Sequence, residues 1–139
     1  MKGLKSIQDI KVEVLNDLIN LAKTRREYHD KYSLKSGSMK ELMEYEKTEN
    51  HQKVKEKKDA LENYLNTQDF EDVKIMQVVM YIGRDTEQSN VKPAAELFED
   101  NYNAFDRNGW NKKSIEVSQM VQKVPLDEYL IKGKELLNL

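Results

Sequence analysis

The segment from residue 73 to residue 82 most constrains how this chain can fold. It reads Val-Lys-Ile-Met-Gln-Val-Val-Met-Tyr-Ile and is apolar nearly all round. It is too short to cross a bilayer, which takes about 20 residues. Its β-branched residues would also suit a buried strand, but the sequence holds no second comparable segment to pair with such a strand. We therefore predict a central helix over residues 70–82 that the rest of the chain buries.

The N-terminal part of the chain has the pattern of a helical hairpin. Between residues 6 and 29, apolar side chains recur every three or four positions, which places them on one stripe of an amphipathic helix. The stripe comprises Ile7, Ile10, Val14, Leu15, Leu18, Ile19, Leu21 and Ala22. Ser38 followed by Glu41 matches a capping box, so we predict a second helix from Met39 to about Leu65. The two helices would form a long antiparallel pair.

The two predicted helices do not match along their whole length. Between Glu46 and Asp59 the second helix carries only one large aliphatic residue, Val54. It cannot cover the whole stripe of the first helix, and a monomer rarely leaves such an apolar patch exposed. We therefore predict a surface for a partner helix, or for a second copy in a homodimer. Its contact residues would be Val14, Leu18, Leu21 and Val54.

Residues 67–139 are predicted to form a compact helical bundle. Thr67 or Asp69 would cap the central helix, Gly83 would end it, and residues 84–90 would form a loop. Three more helices are predicted over residues 93–108, near 115–121, and from about 129 to 137. The expected architecture is a single all-α domain over 1–139, with a hairpin at 1–66 and a bundle at 67–139.

The composition excludes several chemistries. The chain has no cysteine, which rules out disulfides, thiolate nucleophiles and cysteine-containing zinc sites. Its two histidines, His29 and His51, stand in no metal-binding helical motif. No phosphate-binding or dinucleotide-binding glycine motif is present either. We expect no metal, no cofactor and no catalytic residue.

The charge distribution does not favour nucleic acid as a partner. Residues 1–66 carry 14 basic and 12 acidic side chains, and residues 67–139 carry 9 and 13, so neither half has a strong excess of one sign. Arg25 and Arg26 could join the lysines of residues 53–58 in one patch, but carboxylates alternate with those lysines. We predict that nucleic-acid binding is absent or weak. With no apolar run long enough to cross a membrane, the protein is expected to be cytoplasmic.

The segment Gly83-Arg84-Asp85 provides an alternative kind of site. A guanidinium and a carboxylate there follow an apolar helix, and Tyr81 lies two residues before Gly83. Arg84 could hold an anionic ligand or a partner carboxylate with two parallel hydrogen bonds. It could equally form an internal ion pair that fixes the following loop. The alternative to an interaction protein is therefore a ligand-binding or catalytic helical domain that uses Tyr81, Arg84 and Asp85.

The C-terminal half resembles the helical domain-of-unknown-function family 3775. The resemblance rests on two segments: Val78 to Asp85, which is similar to that family's apolar helix ending in a Gly-Arg-Gly-Asp-like turn, and Pro125 to Leu130, followed by Gly133 and Leu136. It covers residues 70–139. The chain lacks the second glycine of the turn, because Asp85 directly follows Arg84. The resemblance implies a helical fold and brings no established activity.

These observations favour a non-enzymatic protein-interaction module. A long helical hairpin offers a surface, whereas the composition offers little chemistry. The small size and the abundance of Lys, Glu and Asn are in keeping with a bacterial or phage inhibitor or accessory factor.

Overall fold

The computed structural model describes residues 5–34, 36–87 and 92–139, which form seven α-helices and no strand. The predicted all-α class is confirmed. A short 3-10 helix, Ile7–Asp9, precedes α1 (Val12–Tyr32), α2 (Met39–Tyr45), α3 (Glu49–Thr67), α4 (Phe70–Asp85), α5 (Ala94–Asn108), α6 (Lys113–Val121) and α7 (Leu126–Leu136). Within these ranges, no helix has both the length and the apolarity needed to cross a membrane.

Helices α1 and α3 pack side by side in antiparallel directions. Near one end of the pair, the Tyr64 hydroxyl donates a hydrogen bond to Asp17 Oδ2 at 3.3 Å. Near the other end, Lys53 Nζ lies 4.8 Å from the ring centroid of Tyr32. The predicted antiparallel pairing is therefore present.

The second predicted helix, Met39 to about Leu65, is wrong as a continuous element. The chain turns between α2 and α3, because Thr48 forms the N-cap of a new helix. Its Oγ1 accepts a hydrogen bond from the backbone N–H of His51 at 3.3 Å and donates one to the carbonyl oxygen of Tyr45 at 2.7 Å. A threonine hydroxyl that bonds the backbone on both sides stabilises a break at this position. The start of α2 is as predicted, since Ser38 Oγ accepts from the Glu41 N–H at 3.2 Å.

Helix α4 lies at the centre of the core, as the apolar segment predicts. It packs most extensively against α7, with α5 and α6 on its other sides. Its fully or nearly fully buried apolar side chains are Val73, Ile75, Met76, Val78, Val79, Met80 and Ile82.

Gly83 does not end α4, which continues to Asp85. The glycine is required for a different reason, because α4 and α7 cross there at close range. A Cβ atom on Gly83 would overlap the carbonyl oxygen of Tyr129 and lie 2.7 Å from the backbone nitrogen of Gly133. Part of the predicted loop at 84–90 is thus helical, and its residues 88–90 lie outside the described residues.

The remaining C-terminal elements follow the predicted order. Helix α5 ends at Gly109, whose φ of +89° is a backbone conformation that glycine adopts readily. Asp69 occupies the N-cap position of α4, although its side chain makes no capping hydrogen bond.

The apolar stripe of α1 is covered from two sides. Helices α3 and α7 both pack against α1. As a result Leu15, Leu18 and Ala22 have no exposed surface, and one core cluster joins them to side chains of α3 and α4. The C-terminal bundle therefore buries most of the surface that the sequence leaves unmatched.

Candidate functional site

A cleft of about 520 Å³ lies between the C-terminal half of α1 and the N-terminal half of α3. It lies where the sequence runs short of large aliphatic residues, since Val54 is the only one that α3 contributes to its wall. Tyr45 of α2 and Val124, in the link between α6 and α7, also line it. Two helices that cannot fill the space between them with apolar side chains leave room for polar ones.

Arg25 lines this cleft and is 5% exposed. Its Nη1 donates a hydrogen bond to the carbonyl oxygen of Lys123 at 3.2 Å, whereas its Nε is buried without a hydrogen-bond partner in the described part of the chain. Burial lowers the pKa of the guanidinium. A guanidinium remains charged in proteins, so the cleft wall contains a buried cation that forms no ion pair with a described carboxylate.

Two histidines lie in the same cleft. Nδ1 of His29 is buried and makes no hydrogen bond with a described residue; the nearest carboxylate oxygen is Oδ1 of Asp30 at 3.5 Å. His51 lies in the first turn of α3, and its ring contacts that of Tyr45 edge to face, with 5.4 Å between the centroids. The Tyr45 hydroxyl donates to the carbonyl oxygen of Tyr32 at 2.7 Å, which fixes α2 against the end of α1.

Charged residues of α3 form the outer wall of the cleft. Lys55 and Asp59 pair at 2.7 Å, and Lys58 and Glu62 also line the wall. Hydrogen bonding to Asp59 raises the pKa of Lys55. The wall therefore contains cations and carboxylates in similar numbers around one buried guanidinium.

The neighbouring arginine of α1 has a different role. Arg26 donates from Nε and Nη2 to both carboxylate oxygens of Asp127 at 2.9–3.0 Å. The side chain of Asp127 is 1% exposed, so this pair ties α1 to the start of α7. Hydrogen bonding to Asp127 raises the pKa of Arg26.

Helix α2 presents an exposed apolar face beside the cleft. Met39, Leu42 and Met43 are 74%, 40% and 58% exposed, and their spacing places them on one side of the helix. Tyr45 is the only residue of α2 that is half-buried. Helix α2 therefore contacts the end of α1 through Tyr45 and presents its other apolar groups towards solvent.

The structure does not bring the predicted partner-contact residues together on a surface. Leu18 is fully buried in the core and is not available to a partner. Val14 and Leu21 are half-buried and pack against the same core, and Val54 lines the cleft. Within the described ranges, the exposed apolar face lies on α2 and not on α1.

The residues of the alternative site pair with one another. Arg84 Nε lies 2.8 Å from Asp85 Oδ1, its Nη2 lies 3.1 Å from Oδ2, and its guanidinium carbon lies 4.6 Å from the ring centroid of Tyr81. Hydrogen bonding to Asp85 raises the pKa of Arg84. The fork that would hold a ligand anion is thus occupied by the adjacent carboxylate.

The basic residues considered for nucleic acid do not form a continuous patch. Arg25 is buried and Arg26 binds Asp127. Lys53 and Lys57 lie over the rings of Tyr32 and Tyr28 at 4.8 and 4.9 Å.

The cleft between α1 and α3 is not predicted from the sequence. From the sequence, Arg25 is considered only as one residue of a basic patch that could form, and the histidines are placed in no site. One signal was present: Arg25 follows Leu18 by seven residues and Ala22 by three, which places it on the buried face of α1. A charged residue in register with an apolar stripe indicates a buried polar site.

No protein-family model, curated protein or solved structure matches the chain. The resemblance to family 3775 therefore stays a prediction. Among the residues that the structure describes, no group of three or more potential ligands is arranged to hold a metal ion.

Proposed function

We propose that this protein is a non-enzymatic interaction module that binds a partner protein through the apolar face of α2. The observation that carries the proposal is the exposure of Met39, Leu42 and Met43 on one side of a helix in which Tyr45 is the one half-buried residue. Exposed apolar side chains that cluster on one face are characteristic of binding surfaces. Methionine, which is flexible and polarisable, adapts to a partner's shape.

The charges around α2 indicate the chemistry of the partner. Residues 39–49 carry four acidic side chains, Glu41, Glu44, Glu46 and Glu49, against two basic ones, Lys40 and Lys47. Charge complementarity therefore favours an amphipathic segment whose apolar side chains are flanked by lysine or arginine. A helix of seven residues offers a small contact area, so we expect a Kd in the micromolar range.

The methionines provide a direct test of the proposed face. With the methionine methyl groups labelled with ¹³C, Met39 and Met43 report on α2, while the buried Met76, Met80 and Met120 report on the core. The probe is a synthetic helical peptide with leucines on one face and lysines on the other. We expect it to shift the α2 methyl signals with a micromolar Kd and to leave the core signals in place. A peptide with glutamates in place of the lysines should bind at least tenfold more weakly.

A matched pair of variants distinguishes binding at this face from non-specific binding to exposed apolar side chains. Leu42→Gln should weaken the peptide at least tenfold with the core methyl signals unchanged. Ile115→Gln, at a 44% exposed position on α6, should bind like wild type. Equal binding of the basic and acidic peptides, or no shift of Met39 and Met43, would contradict the proposal. A dimer that Leu42→Gln dissociates would assign the face to a second copy of the chain and also overturn it.

A further inference from the structure

The guanidinium of Arg25 is buried in the wall of the cleft. A charge removed from water is costly unless a counter-ion or a full set of hydrogen bonds offsets the cost. Among the described residues, Arg25 makes one hydrogen bond, to the Lys123 carbonyl, and its buried Nε makes none. The same helix carries Arg26, whose guanidinium binds both oxygens of Asp127, so a paired arginine lies directly beside an unpaired one. A bound anion would complete the coordination of Arg25.

The cleft beside Arg25 has the size and lining of a small-molecule site. Its volume of about 520 Å³ lies within the range of about 300–1,000 Å³ that is usual for such sites. Val54, Val124 and the ring of Tyr45 line it and suit an apolar or aromatic body. Arg25 alone supplies a buried charge, which would fix the orientation of a ligand.

The charges on the outer wall limit how negative the ligand can be. The cleft lining contains three cations, Arg25, Lys55 and Lys58, and two carboxylates, Asp59 and Glu62, and Lys55 already pairs with Asp59 at 2.7 Å. A singly charged carboxylate needs one cation, which Arg25 provides. A phosphate dianion would lie near the Glu62 carboxylate without a second unpaired buried cation. The balance of charge therefore favours a monocarboxylate.

We propose that the cleft between α1 and α3 binds a small organic acid, with its carboxylate on Arg25 and its apolar body against Val54, Val124 and Tyr45. The ring of His29 lines the same site. This site is distinct from the apolar face of α2, so either proposal can fail without the other.

The first measurement uses the wild-type protein and three probes of similar shape. Benzoate carries the carboxylate, benzamide is its neutral counterpart, and benzamidine is the corresponding cation. In NMR titrations we expect benzoate to shift the Arg25 side-chain N–H signal and the His29 ring signals with a Kd at or below the low millimolar range. Benzamide and benzamidine should bind at least tenfold more weakly, and so should inorganic phosphate.

Two variants separate a ligand-binding arginine from a structural one. Arg25→Met removes the charge but fills similar space, so it should abolish benzoate binding while the melting temperature without ligand stays equal or rises. Arg107→Met makes the same charge change on the exposed surface of α5 and should bind benzoate like wild type. Glu62→Gln removes a carboxylate from the cleft wall and should bind benzoate more tightly. Glu56→Gln, at an exposed position on the same helix, should leave the affinity for benzoate unchanged.

Several results would overturn the proposal. One is equal affinity for benzoate, benzamide and benzamidine in the wild-type protein, because the charge would then have no role. Another is a lowered melting temperature of Arg25→Met with benzoate affinity retained, which would make Arg25 a structural residue only. If Arg25→Met does not fold, the probe comparison in wild type and the Glu62→Gln gain in affinity still decide the matter. A Glu62→Gln variant without that gain would then count against the site.

Discussion

Gly83 of α4 faces Gly133 of α7 so closely that a Cβ atom on Gly83 would lie 2.7 Å from the backbone nitrogen of Gly133. The two helices that pack most extensively against each other meet backbone to backbone at this point. Neither glycine is in a turn, and both are buried. Their role is to remove side-chain volume where two helices cross, and the interhelical distance depends on it.

We expect Gly83→Ala to destabilise the protein by about 2 kcal/mol or more, because the added methyl group overlaps backbone atoms that cannot move independently. The measurement is urea denaturation followed by circular dichroism. Gly37→Ala is the control, since the added Cβ would meet only side-chain atoms of Glu41 and Leu34 near the surface. It should change the free energy of unfolding by less than about 0.5 kcal/mol. Equal effects of the two changes would contradict the close crossing of α4 and α7.

We expect Leu18→Glu to unfold the protein. The Leu18 side chain has no exposed surface, and a carboxylate there would be buried without a partner, at a cost of about 4 kcal/mol or more. Thermal denaturation and light scattering test this. If Leu18→Glu instead folds, and wild type is an oligomer that the variant no longer forms, Leu18 contacts a partner and this prediction is wrong. Leu42→Glu, on the exposed face of α2, is the matched control and should melt within a few degrees of wild type.

We expect Arg26→Met to destabilise the fold by about 3 kcal/mol, because it leaves the Asp127 carboxylate buried without its cation. Lys23→Met, at an exposed position on the same helix, should have little effect. The comparison with Arg25→Met is informative, since we expect that change to be neutral or stabilising. If both arginine substitutions destabilise equally, Arg25 has a structural partner that the contacts do not account for.

Glu71 should make stability depend on acid pH. Burial acts to raise the pKa of its carboxyl group, but hydrogen bonding to Lys74, the charges of Lys74 and Lys5, and the Tyr102 hydroxyl outweigh it, so the pKa lies below the ordinary value of 4.5. A carboxyl group with a lowered folded-state pKa stabilises the fold above its unfolded-state pKa, and the contribution disappears as the pH falls through the folded-state value.

The test is the melting temperature of wild type and Glu71→Gln across pH. We expect the variant to melt below wild type at pH 7 and the two curves to converge below about pH 4. Glu44→Gln makes the same change of charge on α2, where its side chain has no ion pair with a described residue. A gap between wild type and Glu71→Gln that is constant with pH would contradict the ionic role of Glu71.

Local signals in the sequence account for most of the helices. The apolar periodicity of residues 6–29, the Ser38 cap and the Asn108-Gly109 stop each depend on neighbours within a few positions. The start of α2 and the end of α5 agree with the structure, whereas the helix predicted from residue 6 begins only at Val12, after the short 3-10 helix Ile7–Asp9. The break at Thr48 was missed although its cause is also local, because a threonine in a polar helical segment does not by itself show that its hydroxyl will bond the backbone.

The sequence by itself determined that this chain is helical, that residues 70–82 are central, and that α3 is too poor in apolar side chains to match α1. Only the tertiary structure decided how that mismatch is resolved. Helix α7 packs against α1 as α3 does, Leu18 is fully buried, and a cleft remains beside Arg25, whose hydrogen-bond partner Lys123 is 98 residues away in sequence. Gly83 is likewise predicted from its neighbours in sequence to be a helix end. The α7 backbone that requires a glycine there lies about 50 residues further along the chain. Periodicity specifies which face of a helix is apolar, but the helix that covers that face is selected by packing between distant segments.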